Sequence, residues 1–409
     1  MMARRTETGM QIDTYIPNPL TSPRRRGHGH GERPALKVEC IEDTDTLTLL
    51  RPEWDALLKA SGADCLFLTW EWMATWWKHL AQGRRLNVLV VRRGDELLAI
   101  APLALRPPQL GRLLPFRTLE FLGMGTVGSD YLDIITRPDE EERTLKALAE
   151  YLQQNKFVIE FTRVKPGSRR IAALVSLLGQ AGWHSHQAVT DNCPYIPLTG
   201  HSWESYMSGV SGPHRRNVRR RLKILHEKFG QVEFQQARTE EEREACFQAF
   251  VELHAKRWSG DESSTAFTGP QVQAFHEEFS RLALAQGWLR LCVLKLDGKP
   301  VGATYSFRYG EAYYYYQAGY DPAYNEYSVG LVTLALLVQT AIGEGACEFD
   351  MLHGYEEYKF LWTRAGRDLA RVRCFPPNAA GLMYRQAMNL RQGIKRVATW
   401  RWRLQELKA

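Results

Sequence analysis

An α+β architecture with a mixed central sheet, built twice along one chain, is the fold class the sequence predicts, and three observations predict it. The chain has 409 residues, more than one ordinary core organises and suited to two domains of about 150 to 200 residues each. Hydrophobic residues make up 44% and charged residues 24%, which describes a folded chain rather than a disordered one or a coiled coil. The same order of elements also occurs in each half: helices, a three-strand meander, a helix and a strand.

Residues 1–36 are rich in Gly, Pro, Arg and His and show no apolar periodicity, which predicts a disordered basic leader. His28 and His30 within it would hold a metal only adventitiously. The first domain spans 37–200. Its apolar runs Leu86 to Val91 and Leu97 to Leu105 flank a turn at Arg93, Gly94, Asp95 and Glu96, so they form a hairpin. Arg117 to Leu122 gives a third strand, Glu141 to Gln153 a helix, and Phe157 to Val164 a further strand. Residues 201–230 form a basic linker helix.

The second domain spans 231–378. Phe247, Val251, His254 and Trp258 step by four, three and four along one helical face, and Val272 to Ala285 makes a second helix. Leu289 to Leu296 and Pro300 to Phe307 then flank an Asp297-Gly298 turn, the short-range signature of a hairpin. Ala312 to Tyr320, a helix from Gly330 to Gly343 and a strand from Cys347 to Leu352 complete the repeat. Residues 379–409 carry apolar side chains at steps of three and four, among arginines and tryptophans. They predict a basic amphipathic helix that contacts a membrane surface or docks on the protein.

Several function classes are disfavoured. The longest uncharged stretch lies between Glu326 and Glu344 and holds Ser328, Thr333, Gln339 and Thr340, short of the about 20 predominantly apolar residues that a membrane span needs. The first residues include Arg4 and Arg5 without a continuous apolar segment, so a cytoplasmic protein is expected, with peripheral contact at the inner membrane through the tail. Seven cysteines stand singly, with no C-x-x-C pair, which speaks against a disulfide framework and against a metal site. The net charge of +7 is uneven: residues 1–37, 214–228 and 379–409 contribute +4, +6 and +6, leaving the remainder acidic.

The doubled plan carries further motifs: Phe67 to Trp72 running on to Trp76 and Trp77, Ser129 to Asp133, His254 to Trp258, Tyr320 to Gly330, and Asp350 to Trp362. In that order they resemble the CelD-like acetyltransferase family of cellulose and exopolysaccharide biosynthesis, within the GNAT superfamily. The doubling resembles the tandem-GNAT architecture of the Fem peptidyltransferases. The resemblance covers roughly residues 38–376 and implies a tandem GNAT-like acyl-CoA N-acyltransferase fold. Fold and general activity carry over from it, and a particular donor and acceptor do not; the expectation is acetyl-CoA or a longer acyl-CoA as donor, no metal, and a glycan or envelope precursor as acceptor in polysaccharide biosynthesis. Alternatives are a Fem-like transferase using aminoacyl-tRNA, the one reading that brings in nucleic acid, and a non-catalytic subunit binding a glycan or a synthase.

A CoA pyrophosphate calls for backbone N–H groups at a helix start. In the first half that helix opens with Asp139, Glu140, Glu141 and Glu142, which repel phosphate. In the second it opens at Tyr327, Ser328, Val329 and Gly330 without a carboxylate, so these four are the candidate donor contacts. The alternative is that they merely begin a buried helix. Only one glycine of the usual GNAT phosphate loop is present, and Asn325 stands where Gln or Arg is usual. The resemblance places a backbone oxyanion donor near Gln317 to Gly319. Acyl transfer needs a base for the nucleophile and an acid for the departing thiolate. After the Cys347–Leu352 strand, His353 or Asp350 suits the first role and Tyr358 the second, with Lys359 placed to orient an anionic group; the same residues could instead cap structure and pack a core. Acceptor contacts are expected from Asp130, Tyr131, Arg216, Arg220, His254, Arg257 and Trp258. The basic helix could hold a polyanion or be a solvated face bridging the halves. Of Tyr313 to Tyr316, alternation sends one pair into the core and lets the other line a groove.

Overall fold

The computed structural model describes residues 35–107, 117–258, 267 and 269–386. The expected leader, apart from its last two residues, and the tail helix beyond 386 lie outside the described residues.

The first half opens with β1 (Lys37–Ile41), after which Asp43 caps α1 (Thr44–Leu49) by accepting the Thr46 N–H at 2.8 Å. Pro52 sits in the first turn of α2 (Arg51–Ala60), where a missing N–H is no loss. In α3 (Trp70–Leu80), Thr69 is the cap and Trp72, Trp76 and Leu80 step by four along the buried face. The predicted hairpin is β2 (Arg85–Leu86) and β3 (Val88–Arg93) against β4 (Glu96–Ala101) and β5 (Leu103–Leu105), the last two divided at Pro102. Next come β6 (Thr118–Phe121), β7 (Ile135–Thr136), α4 (Glu141–Asn155), β8 (Val158–Val164), α5 (Arg169–Gln180) and β9 (His184–Pro197).

The expected linker helix is two helices, α6 (Trp203–Gly209) and α7 (Gly212–Lys228), separated at Val210 and Ser211, with Pro213 starting the second. The second half runs β10 (Val232–Gln236), α8 (Glu240–Arg257), α9 (Pro270–Ala285), β11 (Leu289–Leu296), β12 (Lys299–Tyr309) and β13 (Ala312–Tyr320). It closes with α10 (Val329–Gly343), β14 (Glu348–Asp350) and β15 (Gly366–Phe375). Thr239 and Glu242 form a capping box at the start of α8.

The repeat in sequence is a repeat in structure. In the first half β6 runs parallel to β8, pairing Thr118 with Val158; in the second β13 runs parallel to β14, pairing Ala312 with Glu348. The final strands then cross over. β9 pairs with β14 of the other half, β15 pairs with β8, and β9 and β15 pair with each other. Among the described residues this gives one eleven-stranded sheet, in the order β10-β11-β12-β13-β14-β9-β15-β8-β6-β5-β2, beside the four strands β1-β3-β4-β7. The described residues from Leu36 on accordingly form one compact unit.

Aromatic packing ties α3 of one half to α9 of the other. Trp72 is fully buried and lies edge-on to Phe67, Phe275, Phe279 and Tyr316 at ring-centre distances of 4.7 to 5.6 Å. Its indole N–H donates to Ser129 Oγ at 2.8 Å, and Ser129 donates to the Gly123 carbonyl at 2.7 Å, so α3 also holds the loop after β6.

Two buried histidines give the fold a pH dependence. His276 stacks on Phe267 at 4.3 Å with neither ring nitrogen hydrogen-bonded, and burial pushes its pKa well below the ordinary value. Burial, then the nearby Arg257 charge, pushes His254 down to about 4. Between that value and the ordinary 6.5 both rings bind a proton only in the unfolded chain, so stability falls as pH drops through this window. Each contributes a slope of about 1.4 kcal/mol per pH unit. The loss of melting temperature between about pH 7 and pH 5 should therefore be smaller in His276→Phe, which keeps the ring contacts, than in the wild type. An unchanged acid limb in that variant would mean the ring is not buried neutral.

Candidate active site

The parallel strands β13 and β14 pair over three residues only, ending at Tyr314 and Asp350. Beyond that point they part. A bulge sharpens the separation, since Tyr305 faces Gln317 while Ser306 faces Tyr315, which leaves Tyr316 as an extra residue on β13. Two cavities open at the split, of about 360 Å³ and about 530 Å³. They share Arg257, Tyr315, Ala318 and Tyr358 as a common wall.

The smaller cavity lies against the start of α10. Ser328 is its N-cap, in the left-handed region with φ of 54° and with no side-chain capping bond. The Val332 N–H is the first to reach an intrahelical acceptor, the Ser328 carbonyl, so the N–H groups of Val329, Gly330 and Leu331 have none. All three residues line the cavity, and no carboxylate occupies the first turn, so the donor set suits an anion such as a pyrophosphate. A Cβ on Gly330 would come within 3.0 Å of the Tyr320 ring, so this position is also fixed by packing. In the first half the corresponding helix α4 has Glu141 and Glu142 in its first turn, with Glu141 paired to Arg170 at 3.2 Å.

The larger cavity carries titratable groups from both halves. His353, in the turn after β14, lines it, and its Nδ1 lies 2.9 Å from the carboxylate of Asp130, which comes from the loop after β6. The same carboxylate accepts the His353 backbone N–H at 3.0 Å. Burial pushes the Asp130 carboxyl up, but His353 and Arg163 more than offset this and hold it below the usual carboxylate range. An ionised Asp130 accepts a hydrogen bond from Nδ1–H, which fixes the tautomer and leaves Nε2 as the unprotonated nitrogen of the neutral ring. Gly128 fits the same contact, since a Cβ there would come within 2.7 Å of His353 Cε1. Tyr358, beside Tyr315, lines both cavities, and burial raises its pKa well above the ordinary value, so it keeps its proton.

Several expected site residues stand elsewhere. Asp350 is fully buried and outside both linings; it accepts the Tyr131 hydroxyl at 2.5 Å and the Leu352 N–H at 2.8 Å, and pairs with Arg367 at 3.2 Å. Burial pushes its carboxyl up to about 7 against those partners. It braces the loop that carries Asp130 rather than facing a substrate, and Tyr131 is spent on the same brace. Lys359 does line the larger cavity, but it is largely buried, donates to the carbonyls of Leu352 at 3.3 Å and His353 at 3.0 Å, and pairs with Glu356, so it also holds the turn. His254 lies behind the wall against Phe250 and Phe267, with its backbone where a Cβ on Gly319 would fall, at 2.3 Å. Gln317 lines the larger cavity and Gly319 the smaller. Tyr327 packs edge-on to Phe229 at 5.1 Å, outside both. Arg216 and Arg220 are exposed on α7 and line neither; His214, from the buried seam of the same helix, lines the smaller one.

Arg257, the last residue of α8, and Trp258, its C-cap, both line the larger cavity. The Arg257 guanidinium donates to the Ala318 carbonyl at 3.1 Å and lies over the rings of Trp258 and Tyr320. Tyr315 and Tyr316, from opposite faces of β13, both reach the larger cavity. Sequence reasoning missed Gly128, Arg163 and His214, and took Asp130 for an acceptor contact. The Ser129-Asp130-Tyr131 run was the available signal, but nothing in it names His353 as the partner.

A family model described as an acetyltransferase (GNAT) domain matches residues 213–360. Among solved structures the chain is similar to FemX, with a TM-score of 0.55 and 12% identity over 78% of this chain and 95% of that one. A conserved protein of unknown function from Bacteroides thetaiotaomicron gives 0.51 and 13% over 83% and 99%. The C-terminal domain of an Agrobacterium fabrum protein described as a lysylphosphatidylglycerol synthetase gives 0.50 and 10% over 85% and 97%. No curated protein matches the sequence. The doubled sheet and these comparisons agree: residues 213–360 are a GNAT acetyltransferase domain, and the chain is an acyltransferase with a tandem GNAT fold.

Proposed function

We propose that the chain transfers an acyl group from acyl-CoA to an amine or hydroxyl of a glycan or envelope precursor, with the donor in the smaller cavity and the acceptor in the larger. One observation carries the reading: His353, held by Asp130 of the opposite half, lines a cavity that shares a wall with the one at the α10 N-terminus. The free N–H groups of Val329, Gly330 and Leu331 fit the phosphates, and CoA would supply the activated thioester. His353 Nε2 takes the proton of the attacking N–H or O–H as the acyl–acceptor bond forms. The β13 edge beyond Tyr314, unpaired by β14, offers backbone N–H groups near Gln317 to Gly319 to the oxygen that gains charge. As the C–S bond breaks, Tyr358 gives its proton to the thiolate and regains one from solvent. Trp258, Tyr315 and Tyr316 present aromatic surface on which a sugar ring can stack.

Acetyl-CoA or a longer acyl-CoA should raise the melting temperature through linkage. Asn325 lines the smaller cavity beside the α10 start, and Asn325→Asp adds charge there without adding volume. A cost of about 1 kcal/mol would weaken donor binding about fivefold, measured by calorimetric titration. An unchanged melting curve with millimolar acetyl-, butyryl- and palmitoyl-CoA would remove CoA as the donor.

A further inference from the structure

His214, Val218, Arg221 and Leu225 recur along α7 at steps of four, three and four, so they share one face of that helix, within about 60° of arc. That face docks on the second half. Val218 and Leu225 are buried, and Leu225 packs in one apolar cluster with Val329 and Val332 from the first turn of α10. Helix α7 is therefore fixed beside the helix start that borders the smaller cavity.

The two polar residues on this face are only partly used within the fold. Arg221 is half-buried, and its Nη1 donates to the Glu326 carbonyl. Asn325, just before Glu326, and Ser328, two residues after it, line the smaller cavity. The Arg221 Nε is buried without a hydrogen bond, and among the described residues no carboxylate pairs with this guanidinium. The Glu326 carboxylate bonds the Tyr327 hydroxyl instead. A partly buried charge without a counter-ion is costly, so this position favours an anion that arrives from outside. His214 is 6% exposed and lines the same cavity; its Nε2 has no hydrogen bond, and burial lowers its pKa, which keeps the ring neutral. Two helical turns, about 10 Å, separate it from Arg221.

We propose that α7 forms one wall of the donor site, with Arg221 pairing with the pyrophosphate of acyl-CoA and His214 bonding an amide or hydroxyl of its pantetheine arm. This rests on the reading that the smaller cavity takes acyl-CoA. The basic helix between the halves thereby supplies the cation that the α10 loop lacks, where Asn325 stands in place of Gln or Arg. The cavity itself adds no opposing charge, since none of its described lining residues is a carboxylate. Arg216 and Arg220 lie on the opposite side of the helix and take no part.

Calorimetric titration of the full chain with CoA and with dephospho-CoA tests this without turnover. Arg221→Gln, which can still bond the Glu326 carbonyl, should weaken both ligands about tenfold at low salt, and the loss should shrink as salt screens the charge. His214→Phe keeps a ring against Trp362 and should weaken both about fivefold at low and high salt alike, as for one neutral hydrogen bond. If Arg221→Gln melts lower than the wild type, Arg221→Met, which keeps the aliphatic stem, is judged the same way. Wild-type affinity in the Arg221 variant, or a loss equal at low and high salt, would overturn the proposal. A loss with CoA and none with dephospho-CoA would overturn it too, and would move Arg221 to the 3′-phosphate. Wild-type affinity in His214→Phe would overturn the part given to His214. A wild type that binds neither ligand would remove CoA as the donor altogether, whereas binding by the wild type with unchanged variants removes only the role of α7.

Discussion

Replacing His353 by alanine lowers turnover by about 10² to 10⁴ at saturating acyl donor, the usual worth of a general base, and leaves donor affinity and melting temperature as they were. The donor contacts lie at the α10 N-terminus, in the other cavity, and the His353 side chain is 30% exposed, so neither binding nor packing should follow the rate down. Asp130→Asn should cost a similar factor by a different route. Asparagine can present its amide N–H to Nδ1, which favours the wrong tautomer and places a proton on Nε2, where the attacking group must be deprotonated. Asp350 gives the contrast. Asp350→Asn lies outside both cavities and should shift melting temperature more than it shifts turnover. A loss of turnover in that variant with an unchanged melting curve would put the chemistry on Asp350 instead.

Trp72→Ala has the largest expected effect on stability. The side chain is fully buried among aromatic rings from both halves, and removing a buried tryptophan typically costs about 3 to 5 kcal/mol. The substitution also deletes the donor to Ser129, one residue from Asp130, so the surviving folded protein should turn over more slowly. Trp72→Phe separates the two effects, because it keeps most of the ring contacts and loses only the N–H. Denaturant melts compared with kcat should show the phenylalanine variant near wild type in stability and still reduced in rate. Full activity in both variants would mean that the loop holding Asp130 does not depend on α3.

Much of this architecture is legible in the sequence. Both hairpins, the meander strands and the helices that follow them carry local signals: apolar runs, an Asp297-Gly298 turn and apolar steps of three and four. The strand β9 carries none, and in β15 only the short alternation Arg371 to Cys374 hints at a strand. β9 reads HSHQAVTDNCPYIP, polar along much of its length and interrupted by proline, because part of it is solvent-exposed and its order comes from pairing with β14 and β15 far away in sequence. The exchange of these strands, which makes one sheet of two halves, is therefore invisible to periodicity. The site follows the same rule. Arg257, Trp258 and the start of α10 lie at helix ends, which the sequence marks, whereas the roles of Asp130, Asp350 and Lys359 are set by partners that only tertiary structure supplies. Asp350 and His353 look equivalent along the chain; three residues past β13's last pairing partner, one ends inside the sheet and the other on a cavity wall. The Arg216 and Arg220 pair was attractive by charge alone, but the seam that buries His214 turns them away from both cavities.

The central claim is that the catalytic base is assembled from both halves, with His353 of one held by Asp130 of the other. A double-substitution cycle on thiol release from the acyl-CoA that binds, with an amine acceptor at saturation, tests it most directly. The account predicts that His353→Ala and Asp130→Asn each lower kcat by at least about 10²-fold, and that the double variant is no slower than the slower single one, because the two residues act as one unit. Losses that multiply in the double variant, or a wild-type rate in either single one, would contradict it.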